Sequence, residues 1–281
     1  SPHLQWQVVG PFDNTSGSGF DKAYPPISQP SAKSFQNKIG AEIAWRKVPA
    51  YRLDGWVDYE LLNTNISNSI FYGQSFIFSP IDQTVNICIG VSGSMKAWLN
   101  DALLGQEKEE RNAGFDVYNY QVTLHKGYNR ICIQTGNSEI NRNNFLLRIT
   151  DQKFNAIPTI TSTNDNQPYK KEVNLKVKQI GMFAETHYLS QISKQKDNSL
   201  PKFLLAQTYQ KNGKYRDSKK IFSELLEKYP NSSIFLQFSL INARELREYE
   251  TQSLLQNRLL DQDPYSYFSL ESRFDEEIQK E

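Results

Sequence analysis

The sequence predicts a two-part protein, an antiparallel, jelly-roll-like β-sandwich followed by an α-helical repeat segment. Three observations predict it. From residue 5 to about 151, short alternating or apolar runs are separated by Gly, Pro, Asn and Asp, the pattern of a two-sheet antiparallel architecture. Near the C-terminus Tyr215 and Tyr249, Leu225 and Leu259, Leu226 and Leu260, and Pro230 and Pro264 each stand 34 positions apart, a period that belongs to stacked helical hairpins. Between these regions lies a stretch rich in Thr, Asn, Asp and Pro and poor in large apolar residues, which is linker composition. The expected division is a sandwich over 1–155, a linker over 156–174 and a truncated helical array over 175–281.

Trp6-Gln7-Val8-Val9-Gly10 predicts the first strand. Gly10-Pro11-Phe12-Asp13-Asn14 then turns into a glycine and serine loop. Gly17-Ser18-Gly19-Phe20-Asp21 and Tyr24-Pro25-Pro26 follow, with too many breakers for regular structure. Further strands are expected over 44–47, 55–60, 70–78, 84–91, 95–99, 118–124, 129–134 and 145–149. Asn100-Asp101 predicts a tight hairpin, because a two-residue turn demands positive φ at both centres and these residues tolerate it. Gly127 is the expected positive-φ residue of a second turn, between His125 and Asn129. The mixed charge run Glu107-Lys108-Glu109-Glu110-Arg111 is read as a solvated loop.

Composition removes several function classes. Lys plus Arg total 32 against 31 Asp plus Glu, so neither half carries the basic excess of a nucleic-acid binder. No stretch approaches the ~20 apolar residues of a spanning helix, and Ser1-Pro2-His3 offers neither an initiator Met nor a signal-peptide core. The chain is therefore read as a processed or trimmed piece. Abundant polar residues and a mean hydropathy of -0.62 suit an exported surface module. Cys88 and Cys132 lie in alternating apolar stretches and read as small buried hydrophobes; sequence does not decide whether they form a disulfide. His3, His125 and His187 are too scattered for a structural zinc site. The chain has no Gly-x-Ser-x-Gly, no His-Glu-x-x-His, and no phosphate-binding or dinucleotide glycine loop.

Apolar positions recur at helical spacing from 175 to 192, predicting a helix that begins or caps the array. In the first full repeat, 199–232, Leu205, Ala206 and Tyr209 share one face of the first helix. Asn212-Gly213-Lys214-Tyr215 makes the turn, and Ser218, Ile221, Phe222 and Leu225 form the buried face of the second helix before Tyr229-Pro230. These residue types resemble the tetratricopeptide pattern. The next unit, 233–266, keeps Ala243, Tyr249, Leu259 and Pro264 but has Gln252 and Gln256 where a small and an aromatic residue are usual. A third unit begins at about Tyr267.

A second resemblance rests on Trp6 with Gly-Pro-Phe-Asp-Asn through Asn14, on Gly19-Phe20-Asp21 with Tyr24-Pro25-Pro26, on the hairpin over 97–101, and on Leu-x-x-Gly-x-Asn from Leu124 to Asn129. These resemble the N-terminal sandwich of bacterial cell-envelope proteins in which such a module precedes tetratricopeptide repeats and, further on, a transglutaminase-like domain. They are also similar to the galactose-binding-like jelly rolls attached to many glycoside hydrolases. Asp101 departs from the hairpin pattern, where glycine is usual. The resemblance implies an exported, periplasmic or cell-envelope location and a larger parent protein. It implies no catalysis here, because any transglutaminase-like activity would lie beyond Glu281.

Trp6, Trp45, Trp56 and Trp98 all fall in the sandwich. Flat aromatic rings beside amides or carboxylates can form a carbohydrate platform, against the alternative that they fill the core. Trp56 with Asp54 and Asp58 is the first candidate, and Tyr118 and Tyr120 are the second. Asp13, Asn14 and Asp21 offer oxygens to a calcium ion, the alternative being a local Asx turn. No other cofactor is expected. In the helices the tetratricopeptide resemblance implies a peptide groove formed by Phe203, Gln207, Gln210 and Lys211 in one repeat and Gln237, Ile241 and Arg244 in the next. Its two cations would suit an acidic or C-terminal peptide. The expected function is thus a non-catalytic interaction or scaffold fragment, with a carbohydrate-binding module as the alternative and a glycan- or amide-cleaving enzyme ranked last.

Overall fold

Apolar side chains fall on both parities of residues 69–79, Phe71 and Ile77 on one and Ile70, Tyr72 and Phe76 on the other. A strand of this kind needs cover on both faces. The computed structural model, which describes residues 4–49, 54–62, 66–195 and 197–278, shows how that cover is built. Its first unit, Ser1–Met182, is β-rich, and its second, Phe183–Glu281, is helical. The first unit runs β1 (Gln7–Asp13), the one-turn helix α1 (Pro25–Ser28), β2 (Phe35–Gln36), β3 (Glu42–Ile43), β4 (Arg46–Lys47), β5 (Val57–Asp58) and β6 (Ser69–Ser79). It continues with β7 (Gln83–Leu99), β8 (Ala102–Asn112), β9 (Tyr118–Leu124), β10 (Gly127–Asn137), β11 (Asn144–Thr150), β12 (Thr161–Thr163) and β13 (Lys178–Ile180).

All the main pairings are antiparallel, and β7 joins the two layers. Its first half lies between β9 and β11, its second between β8 and β10. One layer is therefore β13-β9-β7-β11-β5. The other is β8-β7-β10-β6-β1-β4, with β12 beside β6 beyond the end of β1. The change of partners falls at Gly93, whose φ is +124° and where a Cβ would come within 2.6 Å of the Gly136 carbonyl oxygen. Only glycine fits such a crossing. The runs 84–91 and 95–99, expected as two strands, are thus one strand that bends between layers.

Trp6, Val8, Phe71 and Ile133 face Ile87, Tyr120, Phe145 and Leu147 in the core between the layers. A second core lies on the outer side of β1, β6 and β10, where Val9, Phe12, Ile70, Tyr72 and Cys132 are covered by Tyr24 and Phe35 and flanked by Ile27, Trp45 and Trp98. The irregular segment 14–36 supplies much of this cover and is held by side chains rather than a ladder. Arg130, 1% exposed, donates from Nε to Gln74 Oε1 (2.7 Å), from Nη1 to Asp101 Oδ1 (2.8 Å) and the Ile27 carbonyl (3.2 Å), and from Nη2 to the Pro26 carbonyl (2.8 Å). Gln134 Nε2 donates to the Phe20 carbonyl, and Gln134 Oε1 accepts from the Tyr72 hydroxyl.

Several expectations are corrected. The charge run at Glu107–Arg111 lies on β8, which pairs only with β7 among the described residues; charged side chains are a usual guard on an exposed sheet edge. The strand expected over 55–60 is Val57–Asp58 alone, because the Asp58 carboxylate accepts the Glu60 amide and caps a 3₁₀ turn. The segment read as a linker carries β12 on β6 and buries Ile160. Helix does not start near 175, since β13 pairs with β9 first. The Asn100-Asp101 hairpin does form, with φ of 52° and 73°, and Gly127 has φ 95°. His3 lies outside the described residues.

The helical unit comprises α2 (Phe183–Lys194), α3 (Ser199–Lys211), α4 (Tyr215–Lys228), α5 (Ser233–Glu245), α6 (Tyr249–Gln262) and α7 (Tyr267–Ile278). The starts of α3, α5 and α7 at Ser199, Ser233 and Tyr267 keep the period read from the sequence, as do those of α4 and α6 at Tyr215 and Tyr249. The local chemistry repeats too. Asn198 and Ser232, one period apart, cap α3 and α5 by accepting backbone amides. Gly213 (φ 68°) and Arg247 (φ 56°) make the equivalent left-handed turns before α4 and α6. Glycine is suited to that conformation and arginine is strained in it, so Arg247→Gly is expected to stabilise the helical unit by about 0.5–1 kcal/mol. A urea midpoint unchanged or lowered in this variant would contradict it.

Candidate functional site

The two sets of residues expected as sugar-platform candidates differ in exposure. Asp54 Oδ1 accepts the Trp56 amide at 3.2 Å, and Trp56 is half-buried. Asp58 is buried as the cap of its 3₁₀ turn. Tyr118 and Tyr120 are 7% and 4% exposed and belong to the core between the layers, which corrects their assignment as surface rings. Tyr120 packs closely on Gly105, where a Cβ would come within 2.2 Å of the ring, and burial pushes its hydroxyl up to about 12. The signal was in the sequence: Tyr118, Tyr120, Val122 and Leu124 alternate on one face of β9. Trp6 is buried, and Trp45 and Trp98 pack against the second core.

A cleft of about 420 Å³ opens in the first unit between loop residues Ser16–Ser18, Phe20, β7, β8 and Ser138-Glu139. Its charges are mostly committed. Asp21 pairs with Lys96 at 3.0 Å and Lys108 at 3.1 Å, and Lys96 Nζ lies 4.2 Å from the centre of the Phe20 ring. The two lysines hold the Asp21 carboxyl below its ordinary range. Glu110 accepts the Ser138 amide and hydroxyl and the Glu139 amide, each at 2.8 Å, so it fixes the turn after β10. Below this wall Asn14 is fully buried; its Oδ1 accepts the Gly19 amide and its Nδ2 has no hydrogen-bond partner among the described residues. The cleft thus offers hydroxyls and backbone more than free charge.

Asp13 and Asp21, the calcium candidates, are each engaged by other groups. Asp13 Oδ1 accepts the Thr15 hydroxyl at 2.7 Å and its amide at 3.3 Å, a local Asx turn, and that hydroxyl bond lowers its pKa. Asp21 is neutralised by its two lysines. Among the described residues no group of three or more His, Cys, Asp or Glu is gathered for a metal.

The cysteines are free and buried. Cys88 points away from the core between the layers, toward the Thr150 hydroxyl, while Cys132 lies in the second core. Burial pushes the Cys88 thiol up to about 12 and Cys132 up to about 11. At about pH 8 neither thiol is expected to react with iodoacetamide in the folded protein, and both are expected to react after unfolding, read by intact mass. The same shift has a stability consequence. Below the unfolded thiol value of about 8.5 both states keep the proton; above it the unfolded chain deprotonates first, so stability falls as pH rises toward the folded values.

In the helical unit the expected groove residues are partly spent on holding neighbouring helices. Phe203 packs against Phe222, Phe235 and Phe238. Gln210 Nε2 donates to Asn242 Oδ1 at 2.8 Å and to the Phe238 carbonyl at 2.9 Å. Arg244 pairs with Glu271 at 3.0 Å and covers the Phe268 ring, so it is not a free cation for a peptide. Lys211 is exposed, and Gln207, Gln237 and Ile241 are half-buried. Sequence reasoning missed Leu200 and Ile234, which occupy equivalent places on α3 and α5 and are 61% and 53% exposed.

No helix among the described residues is long and apolar enough to cross a membrane. No family profile and no curated protein matches the chain. Among solved structures it is similar to a beta-glucosidase from Kluyveromyces marxianus in complex with glucose (14% identity, TM-score 0.31, 53% of this chain and 16% of that one). It is also similar to an alpha-xylosidase from Xanthomonas citri (12% identity, TM-score 0.28, 52% of this chain and 14% of that one). The chain therefore spans a small part of either enzyme, and a likeness of this size carries no argument about function.

Proposed function

We propose that the chain is a non-catalytic interaction and scaffold fragment of a larger exported protein, in which the helical hairpins bind a polypeptide partner and the β-rich unit positions them. The observation that carries this reading is the register. Helices of one kind recur with a constant period and leave Leu200 and Ile234 exposed at equivalent places, where a monomer gains nothing from apolar surface. The half-buried Gln207, Gln237 and Ile241 and the exposed Lys211 extend that surface with little net charge. The test is peptide selection by phage display against the whole chain, repeated with a Leu200→Glu/Ile234→Glu variant shown to be folded. Enriched peptides that bind the parent and lose the variant support the reading. Peptides that bind both equally place the interaction elsewhere.

The carbohydrate reading is kept by one observation, the partly open Trp56 beside the exposed Asp54. A glycan array probed with the parent chain and with Trp56→Ala separates the two. Glycan binding that disappears in the variant makes the β-rich unit a sugar module, and a blank array on folded protein removes that alternative.

A further inference from the structure

α4 and α6 flank an open niche of about 340 Å³ whose floor is α5, and the repeat register explains why it exists. Leu205 and Tyr209 of α3 correspond, one period on, to Ser239 and Ala243 of α5. In the first hairpin Leu205 is buried, and the Tyr209 ring lies 5.5 Å from Lys214 Nζ, which pairs with Glu185. The second hairpin repeats this arrangement with the charges exchanged: Lys219 stands at the position of Glu185, Glu248 at that of Lys214, and the two form the same ion pair. The backbone matches as well, since the Lys214 amide donates to the Tyr209 carbonyl at 2.8 Å and the Glu248 amide to the Ala243 carbonyl at 2.9 Å. At the floor, Leu205 and Tyr209 are matched by the smaller Ser239 and Ala243.

We propose that this niche is a binding site for an aromatic side chain, tyrosine in particular, presented by a partner polypeptide. The first hairpin shows what such a space holds, for Tyr209 sits beside the equivalent ion pair. Leu226, Leu254 and Leu255 supply apolar wall for a ring, and the Lys219–Glu248 pair borders the niche. Ser239 Oγ is buried there without a hydrogen-bond partner among the described residues, a polar group that an incoming hydroxyl would satisfy. Exposed Leu254 continues the apolar surface outward. A polypeptide anchor fits this geometry because one aromatic ring in a fitted pocket contributes much of the energy of a protein contact.

The inference rests on the interaction-module reading only in requiring a partner, and it uses a different face from Leu200 and Ile234, so the two fail separately. The test titrates N-acetyl-tyrosine amide into the whole isotope-labelled chain, with N-acetyl-leucine amide as the control. Saturable amide shifts are expected at Ser223, Ser239, Ala243, Thr251 and Leu255, with a dissociation constant on the order of 1 mM and weaker binding of the leucine amide. Ala243→Tyr should refill the niche from within, abolish those shifts and raise the unfolding midpoint. If that variant does not fold, Ser239→Leu serves the same purpose with a smaller change. Shifts that are absent, that spread over both units, or that persist unchanged in a folded, refilled variant overturn the assignment.

Discussion

Arg130→Leu is expected to destabilise the β-rich unit by about 3–5 kcal/mol, the range seen when one partner of a buried charged network is removed. The guanidinium spans four acceptors drawn from distant parts of the chain: Gln74, Asp101, and the Pro26 and Ile27 carbonyls. Leucine fills comparable apolar space and leaves those acceptors short of donors. Asp101 keeps the Tyr169 hydroxyl and Lys171, at 3.4 Å, so the largest loss falls on Gln74 and on α1. Amide exchange should therefore accelerate in residues 24–36 before it does in β6 or β10. Arg130→Lys is expected to recover only part of the loss, because one ammonium cannot reproduce a planar fork with donors on three nitrogens. Since all four tryptophans lie in this unit, their fluorescence during urea unfolding reads the change directly. A loss under about 1 kcal/mol, the scale of an exposed ion pair, would mean that water replaces the guanidinium and that the network does not hold the segment.

How far the sequence foretold these features depends on the range of the interactions behind them. The helical hairpins were legible because each determinant acts within a turn or two. Asn198 and Ser232 start helices, Gly213 permits the left-handed turn, and Leu225 and Leu259 keep the register. Hairpin tips were legible for the same reason, as the positive φ of Asn100 and Asp101 shows. The continuity of β7 was hidden because Ser92-Gly93-Ser94 reads as a break, and its purpose appears only when Gly136 passes over it. Arg130 shares its face of β10 with Cys132 and Gln134, and what covers that face arrives from the far end of the unit, which no periodicity reports. The candidate sites fared worse. Tyr118 and Tyr120 were judged by residue type when their alternation with Val122 and Leu124 already placed them inside. Gln252 and Gln256 stood out as departures from the repeat, yet Ser239 was passed over and Ala243 counted as a kept position, although the same register sets it against Tyr209.

Phe222→Ala is expected to cost the helical unit about 3–5 kcal/mol, the usual penalty for emptying a buried phenylalanine site. Phe222 is fully buried, and its ring lies 6.0 Å from Phe203, 6.3 Å from Phe235 and 5.6 Å from Phe238, the last pair being parallel. It therefore joins α3, α4 and α5, which means one hairpin to the next. In a stacked array the interface between neighbours carries much of the stability, so the variant weakens both the hairpin and its coupling. The equivalent position in the next repeat is Gln256, half-buried and bonded through Nε2 to Ser272 Oγ. Gln256→Ala removes one polar contact and little packing, and is expected to cost no more than about 1.5 kcal/mol. Far-ultraviolet circular dichroism, dominated by the helices, measures both variants on one scale. Equal losses would show that the aromatic cluster is not what holds successive hairpins together. A large loss confined to Phe222→Ala would locate the strongest link of the array between the first and second hairpins, leaving the α4–α6 side of the second, where Ser239 and Ala243 replace large residues, as the part most open to a partner.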